Sequence, residues 1–186
     1  MMIPALVARA LALAEARGFR HSSCLEAGML LHALASTVTD GRIGEIGTGC
    51  GVGTAWMVSA LQPNVGCVTI DSDAQLVAAV RDVFANQPAV QVLHGDWRAL
   101  AAHGPFQLLF ADGGNAKMTH PDEVLRLVAI GGLLVLDDLT PEQYWPEEWR
   151  GKPDPLRTYW LRHEQVSAIE VRLAERHAAI IAARVR

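Results

Sequence analysis

The chain has 186 residues, of which 51% are hydrophobic and 19% are charged. This length and composition suit a globular domain with a sizeable buried core, and they exclude a disordered chain. The formal net charge of −4 disfavours a nucleic-acid partner, because no basic field is available to neutralise phosphates.

The cysteine pattern and the hydropathy of the chain favour a cytoplasmic protein. Three cysteines without C-x-x-C spacing disfavour a zinc site and a disulfide scaffold, and they fit a reducing compartment. Residues 1–17 are apolar but interrupted by Arg9 and Glu15, which predicts an amphipathic helix rather than a signal peptide. No apolar run approaches the length of a membrane span, so we expect no membrane partner.

From residue 42 onward, short apolar β runs alternate with helical patterns, which favours a parallel sheet covered on both faces. Five runs read as strands in chain order: Arg42–Gly47, Gly66–Asp71, Val90–His94, Phe106–Ala111 and Gly132–Asp137. Helices are expected between them, near residues 53–62, 74–86 and 120–129. Polar residues mark further helix starts: Asp73, the capping-box pattern Thr140-Pro141-Glu142-Gln143, and Asp154-Pro155.

The last part of the chain predicts a change of strand direction. Two runs, Val166–Leu173 and His177–Val185, flank a short turn and are typical of an antiparallel hairpin. The predicted fold is therefore α/β: a single Rossmann-like domain over residues 1–186. It is expected to have N-terminal helices over 1–38 and, over 42–186, a seven-stranded, mostly parallel sheet with helices on both faces.

A glycine-rich loop follows the first predicted strand and precedes a helical pattern. Glycines alternate there at Gly47, Gly49, Gly51 and Gly53. Such a loop lets the backbone approach a nucleotide-type ligand at a helix N-terminus. The dinucleotide fingerprint G-x-G-x-x-G/A fails in both registers, because its third position is Val52 or Thr54. We therefore expect an adenosine-containing cofactor other than NAD.

Glu45 precedes the first glycine by two residues and completes the pattern E-x-G-x-G-x-G. This pattern resembles motif I of the class I S-adenosylmethionine-dependent methyltransferases, whose sheet also consists of five parallel strands and a terminal hairpin. The resemblance implies S-adenosylmethionine as the cofactor, with Glu45 helping to orient its methionine end. It also places cofactor contacts at Gly47, Thr48, Gly49 and Gly51.

The ends of the second and third strands carry further candidate cofactor residues. Asp71 ends the second strand, where an acidic side chain can accept hydrogen bonds from both ribose hydroxyls. Asp73 competes for this role but is better explained as a helix cap. Asp96 and Trp97 resemble the family's third motif, which implies contacts with the adenine amino group and ring. The alternatives are a turn or cap for Asp96 and a core aromatic for Trp97.

Aspartates also end the fourth and fifth strands, at Asp112, Asp137 and Asp138. Neighbouring strands lie about 5 Å apart, so these carboxylates can share one hard cation such as Mg²⁺. Without a metal they would repel one another. The pattern resembles the catechol-type and sugar-type metal-dependent O-methyltransferases, and the similar stretches cover roughly residues 22–140. The resemblance implies that the three aspartates hold Mg²⁺, which in turn binds a substrate hydroxyl.

One position departs from this family. A base, Lys or His, usually stands three residues after the aspartate of the fourth strand, and here that residue is Asn115. Lys117 or His120 is a candidate replacement if residues 113–119 fold inward. A metal-bound hydroxyl that ionises without a strong protein base is the other possibility. The candidate catalytic residues are thus Asp112, Asn115 and Lys117.

These features favour Mg²⁺-assisted methyl transfer from S-adenosylmethionine to the hydroxyl of a small molecule. The alternatives are a metal-independent methyltransferase acting on O or N, and a non-catalytic S-adenosylmethionine-binding protein. Tyr144, Trp145 and Trp149 either form a wall over a flat acceptor or anchor their segment to the sheet. The alanine-rich, apolar composition hints at a homodimer.

Overall fold

The computed structural model describes residues 2–113 and 115–186, which form a seven-stranded sheet in the order β3-β2-β1-β4-β5-β7-β6. Strands β1 to β5 are parallel, whereas β7 runs antiparallel to both β5 and β6. The strands are β1 Arg42–Ile46, β2 Gly66–Asp71, β3 Val90–His94, β4 Phe106–Ala111, β5 Val128–Leu139, β6 Val166–Ala174 and β7 His177–Arg184. The predicted fold class and terminal hairpin are confirmed.

Helices cover both faces of this sheet. They are α1 Ala5–Arg17, α2 Leu25–Ser36, α3 Val52–Val58, α4 Ala74–Val83, α5 Ala116–Thr119, α6 Pro121–Arg126 and α7 Pro155–Arg162. One core cluster packs α1 to α4 on one face, through residues such as Leu31 and Trp56. The other packs α6 and α7 on the opposite face, through Val124 and Trp160. No helix of the described residues has both the length and the apolar character needed to cross a bilayer.

The central strands are apolar on both sides because both of their faces are covered. In β4, the run from Leu108 to Phe110 is fully buried. The register pairs Ile46 of β1 with Ile70 of β2 and with Ala111 of β4. Three parallel strands therefore end side by side. The strand order reverses between β1 and β4, and such a switch point opens a crevice at the carboxyl ends of the strands.

Several predicted boundaries differ from the observed ones. The helix predicted at 120–129 ends at Arg126, and β5 begins at Val128 rather than Gly132. The early start comes from an irregular pairing with β4, with Gly131 at a positive φ of 82°. The capping-box pattern at Thr140 gives only a single 3₁₀ turn, Glu142–Tyr144. Pro146 follows at once and holds the residue before it in an extended conformation, which ends the turn.

Candidate functional site

The glycine loop, residues 47–53, lies at the switch point between β1 and β4. Gly47 has φ +90°, and a Cβ there would lie 2.4 Å from the backbone nitrogen of Gly113. Only glycine therefore allows the loops after β1 and β4 to approach this closely. The backbone N–H of Gly47 donates to the carbonyl of Ile70 at 2.9 Å, which joins the loop to β2 as well.

Glu45 lies behind this loop rather than in front of it. Its carboxylate is buried and accepts hydrogen bonds from the hydroxyls of Thr54 and Thr69, the latter at 2.5 Å. The Thr48 and Thr69 hydroxyls lie 2.6 Å apart and extend the network. Burial raises the pKa of Glu45 to about 7, although the threonine hydrogen bonds oppose this shift. Glu45 therefore supports the loop from within the core, and its role in orienting the methionine end of a cofactor stays a prediction.

Asp71 occupies the position that the sequence predicted for it, at the end of β2. Its carboxylate accepts hydrogen bonds from the backbone N–H groups of Gly49 at 2.8 Å and Asp73 at 2.9 Å. Asp71 also lines two cavities of the crevice. The side chain of Asp73 instead accepts from the first N–H groups of α4, as expected of a helix cap.

The first cavity, which we call the Trp97 cavity, has a volume of about 340 Å³. Its lining includes Gly47, Asp71, Asp96, Trp97, Asn115 and His120. Trp97 is half-buried, with the Arg98 guanidinium 4.7 Å from its ring centre. Asp96 is exposed and caps the 3₁₀ turn that follows, accepting from the Arg98 N–H at 2.9 Å. Asp96 and Trp97 therefore face the crevice, and their contacts with a cofactor stay a prediction.

The second cavity, which we call the Phe19 cavity, has a volume of about 240 Å³ and continues the first. Both cavities are lined by Gly47, Asp71 and Gly113. Phe19 and His21, which follow α1, cover the cavity, and sequence reasoning missed them. The signal was Gly18, whose φ of +62° ends α1 and turns the chain back towards the sheet.

Asp112 and Asp138 line the Phe19 cavity from the ends of β4 and β5. Burial, together with the negative charges of Asp138, Asp137 and Glu45, raises the pKa of Asp112 to about 8. Asp138 is exposed and has φ +64°, which is uncommon for a residue other than glycine. Such strained residues are concentrated at functional sites.

Lys117 is buried in α5, so its side chain points inward, as its candidate role required. Its ammonium nitrogen is 2.8 Å from the carbonyl oxygen of Asp137 and 3.1 Å from that of Asp112. The carbonyl of Ala111 at 3.3 Å and the carboxylate of Asp138 at 3.4 Å complete its surroundings. The Lys117 nitrogen thus contacts four oxygens, and its role as a base stays a prediction.

The three aspartates do not present a joint set of metal ligands. The carboxylate of Asp137 is buried and pairs with the imidazole of His177 at 2.5 Å, which raises the pKa of His177. Asp138 is directed at Lys117. Across residues 2–113 and 115–186, no three His, Cys, Asp or Glu side chains are grouped so as to hold a metal ion. The ligand set predicted at Asp112, Asp137 and Asp138 is therefore corrected, since the carboxylates of Asp137 and Asp138 face His177 and Lys117 instead of a common point.

A third cavity, which we call the Trp145 pocket, opens beside Asp138 and has a volume of about 770 Å³. Its lining includes Asn115, Lys117, Asp138, Tyr144, Trp145 and Trp149. The Trp145 indole donates to the carbonyl of Thr140 at 2.7 Å and so anchors its segment, whereas Trp149 is 58% exposed. Trp145 thus anchors its segment, whereas a wall of these aromatic residues over a flat acceptor stays a prediction. His120 lies on the side of the Trp97 cavity instead.

Comparisons with known proteins agree with this geometry. A family model described as a methyltransferase domain matches residues 45–139, just over half of the chain. The matched segment runs from Glu45 to the end of β5 and so contains the glycine loop and both aspartate-bearing strand ends. A comparison with curated protein sequences finds no match.

Solved structures share the fold. The O-methyltransferase from Bacillus cereus in complex with SAH superposes with a TM-score of 0.80 at 20% identity, over 99% of this chain and 92% of that one. TomG from Streptomyces achromogenes is an O-methyltransferase of tomaymycin synthesis in complex with SAM. It superposes with a TM-score of 0.80 at 19% identity, over 100% of this chain and 92% of that one. Cofactor-bound Rv0187 from MTB superposes with a TM-score of 0.80 at 21% identity, over 99% of this chain and 91% of that one. The chain therefore belongs to the methyltransferase-domain family and has the fold of the class I S-adenosylmethionine-dependent enzymes.

Proposed function

We propose that the protein transfers the methyl group of S-adenosylmethionine to a hydroxyl oxygen of a small molecule. The observation that carries this proposal is the position of Asp138, which lines both the Phe19 cavity and the Trp145 pocket. Two ligands, one in each cavity, would therefore contact each other beside Asp138. Methyl transfer requires this kind of contact, because the attacking oxygen must lie in line with the bond that breaks.

The cofactor would occupy the two connected cavities along the glycine loop. Its adenine would lie beside Trp97, and its ribose hydroxyls would donate to Asp71, which still has free acceptor positions. Its methionine part would then extend into the Phe19 cavity, towards Asp112 and Asp138. The SAH and SAM complexes of the B. cereus enzyme and TomG support this assignment.

In the proposed reaction, the acceptor oxygen attacks the methyl carbon and the bond from that carbon to the sulfonium breaks. The electron pair of this bond stays on sulfur, which leaves as a neutral thioether. The hydroxyl proton passes to a carboxylate oxygen of ionised Asp112, which lines the Phe19 cavity beside Asp138. Two neighbouring carboxyls hold a single proton readily, because both resist ionising at once. Because the pKa of Asp112 is about 8, the fraction of the ionised base, and with it the rate, should rise as the pH is raised towards 8.

The acceptor would lie in the Trp145 pocket. Tyr144 and the exposed Trp149 offer aromatic surface, so a flat, hydroxylated ring is the acceptor class that fits best. Asn115 lies between this pocket and the Trp97 cavity, and it can hydrogen-bond the acceptor without taking its proton. The proposal does not route the reaction through Mg²⁺, because the carboxylates of Asp137 and Asp138 face His177 and Lys117.

Calorimetric titration with S-adenosylmethionine, S-adenosylhomocysteine and NADH tests the cofactor assignment. We expect saturable binding of the first two and none of NADH. Transfer of a labelled methyl group to a panel of phenols, catechols and aromatic amines then tests the reaction, with Asp112→Asn as the inactive variant. NADH binding without any response to S-adenosylmethionine would refute the proposal. A panel methylated only at amine nitrogens would replace the hydroxyl acceptor with an amine.

A further inference from the structure

Lys117 is one of only two lysines in the chain, and it is buried between the ends of β4 and β5. Its ammonium contacts the carbonyls of Ala111 and Asp112 on the β4 side. On the β5 side it contacts the carbonyl of Asp137 and the carboxylate of Asp138. Burying an ammonium costs free energy unless polar groups surround it. The four oxygens around Lys117 supply such an environment for a positive charge.

The strand ends that this ammonium joins are those whose aspartates resemble the metal ligands of related O-methyltransferases. A divalent cation there would need the carboxylates of Asp112, Asp137 and Asp138 directed at one point. Instead, Asp137 is directed towards β7, where its Oδ1 lies 2.5 Å from Nε2 of His177. Asp138 lies 3.4 Å from the Lys117 ammonium. The Lys117 ammonium and the His177 imidazole thus face the two β5 carboxylates.

The position of Lys117 is fixed from outside the cluster as well. Trp160 of α7 is fully buried and donates its indole N–H to the carbonyl of Lys117 at 3.1 Å. The backbone of α5 is thereby tied to a helix that packs on the same face of the sheet. A lysine free to swing into solvent would need no such support. This bond holds the backbone of α5, and the four oxygens around the ammonium hold its side chain.

We propose that the ammonium of Lys117 takes the place of the divalent metal in this protein, so that methyl transfer proceeds without a metal ion. Lys117 acts as a positioning residue: it fixes the Asp138 carboxylate at the junction of the Phe19 cavity and the Trp145 pocket. This inference rests on the proposed function for its catalytic consequence. Its structural part, that the site admits no divalent cation while Lys117 is present, stands independently.

Titration with MnCl₂, followed by the electron paramagnetic resonance signal of the free ion, tests the structural part. The wild-type chain should show no saturable site. Lys117→Met removes the ammonium while keeping side-chain length, and it should raise Mn²⁺ affinity by roughly 10²-fold or more, since one unit charge a few ångströms from the ion is removed. Lys152→Met, at the exposed second lysine, is the matched control and should bind Mn²⁺ no better than wild type.

The outcomes distinguish the inference from the proposed function. A saturable Mn²⁺ site in the wild type that Asp138→Asn abolishes would overturn the inference, as would equal Mn²⁺ binding by Lys117→Met and wild type. If Lys117→Met does not fold, the wild-type titration still decides. Methyl transfer by the wild type should continue in EDTA and gain nothing from MgCl₂, and a loss in EDTA that MgCl₂ restores refutes the catalytic part. Failure to bind S-adenosylmethionine would sink the proposed function but leave the Mn²⁺ result intact.

Discussion

The carboxylate of Asp71 accepts a hydrogen bond from the backbone N–H of Gly49 at 2.8 Å, so the end of β2 holds the loop that follows β1. The same side chain borders both cavities of the crevice. Asp71 thus holds the loop in place and also presents acceptor oxygens to a ligand in either cavity.

Asp71→Ala should therefore weaken the binding of S-adenosylmethionine by about 1–3 kcal/mol, the range for losing a charged hydrogen-bond partner. Calorimetric titration measures the change. Asp73→Ala is the control, since its side chain caps α4. That variant should lower the free energy of unfolding by about 1 kcal/mol and leave the affinity alone. Equal losses of affinity in both variants would contradict a direct role for Asp71.

Stability should fall as pH rises through the neutral range. The folded pKa of Glu45 is about 7 against 4.5 for the unfolded group, and that of Asp112 is about 8 against 3.8. Between each pair of values the folded chain holds a proton that the unfolded chain has lost, so raising the pH favours unfolding. The slope is about 1.4 kcal/mol per pH unit at most for each group. His177, whose folded pKa is raised by Asp137, acts in the same direction.

Urea unfolding at a series of pH values measures this dependence. Glu45→Gln keeps acceptor oxygen for Thr54 and Thr69 but cannot ionise, so it should flatten the profile up to about pH 7. Asp112→Asn should flatten the part that extends to about pH 8. A wild-type profile that rises or stays level across this range would show that neither carboxyl is protonated in the folded protein.

Trp149 and Trp145 should differ in what they contribute. Trp149 is 58% exposed on the Trp145 pocket, so Trp149→Ala should raise KM for an aromatic acceptor and change stability by less than about 0.5 kcal/mol. Trp145 donates to the carbonyl of Thr140 and lies under the Arg157 guanidinium at 5.2 Å. Trp145→Ala should therefore lower the melting temperature as well. Unchanged acceptor kinetics in Trp149→Ala would move the acceptor out of this pocket.

A base introduced at Asn115 should accelerate the reaction. Asn115 lies between the Trp97 cavity and the Trp145 pocket, and it cannot accept a proton near neutral pH. Asn115→His introduces an imidazole that can, so we expect a higher kcat with a new dependence on pH near 6.5. Asn115→Ala tests whether removing the amide is enough to raise kcat without a new base. If both variants are equally fast, or both slower than wild type, position 115 does not face the reacting hydroxyl.

Much of the cofactor side could be predicted from sequence because it depends on short-range chemistry. Alternating glycines require positive φ, and an acidic residue at the end of β2 follows from the strand pattern. The aspartate cluster was harder, because the partner of Asp137 is His177, forty residues away on an antiparallel strand. The pairing of β5 with β7 is irregular between Leu136 and Leu139, where the aspartates lie. Nothing in the local sequence announces that irregularity, and it decides which way each carboxylate points.

The covering residues Phe19 and His21 were missed for a related reason. They belong to the connection between α1 and α2 and reach the crevice only through tertiary packing. Lys117 likewise lies in a short helix whose backbone accepts a hydrogen bond from the indole of Trp160, forty-three residues away. Contacts between segments that are distant in sequence, rather than local propensity, decide which side chains face one another in this site.

The segment 140–154, between β5 and α7, forms one wall of the Trp145 pocket through two isolated 3₁₀ turns, Glu142–Tyr144 and Glu147–Trp149. None of the seven strands runs through it. Substitutions in this segment can therefore reshape the pocket while the glycine loop and the ends of β2 and β3 stay unaltered. We expect a lineage built on this chain to diverge in what it modifies sooner than in its methyl donor. The residues proposed to bind the methyl donor come from the ends of several strands. Those of the acceptor pocket can change by substitutions within a single connecting segment.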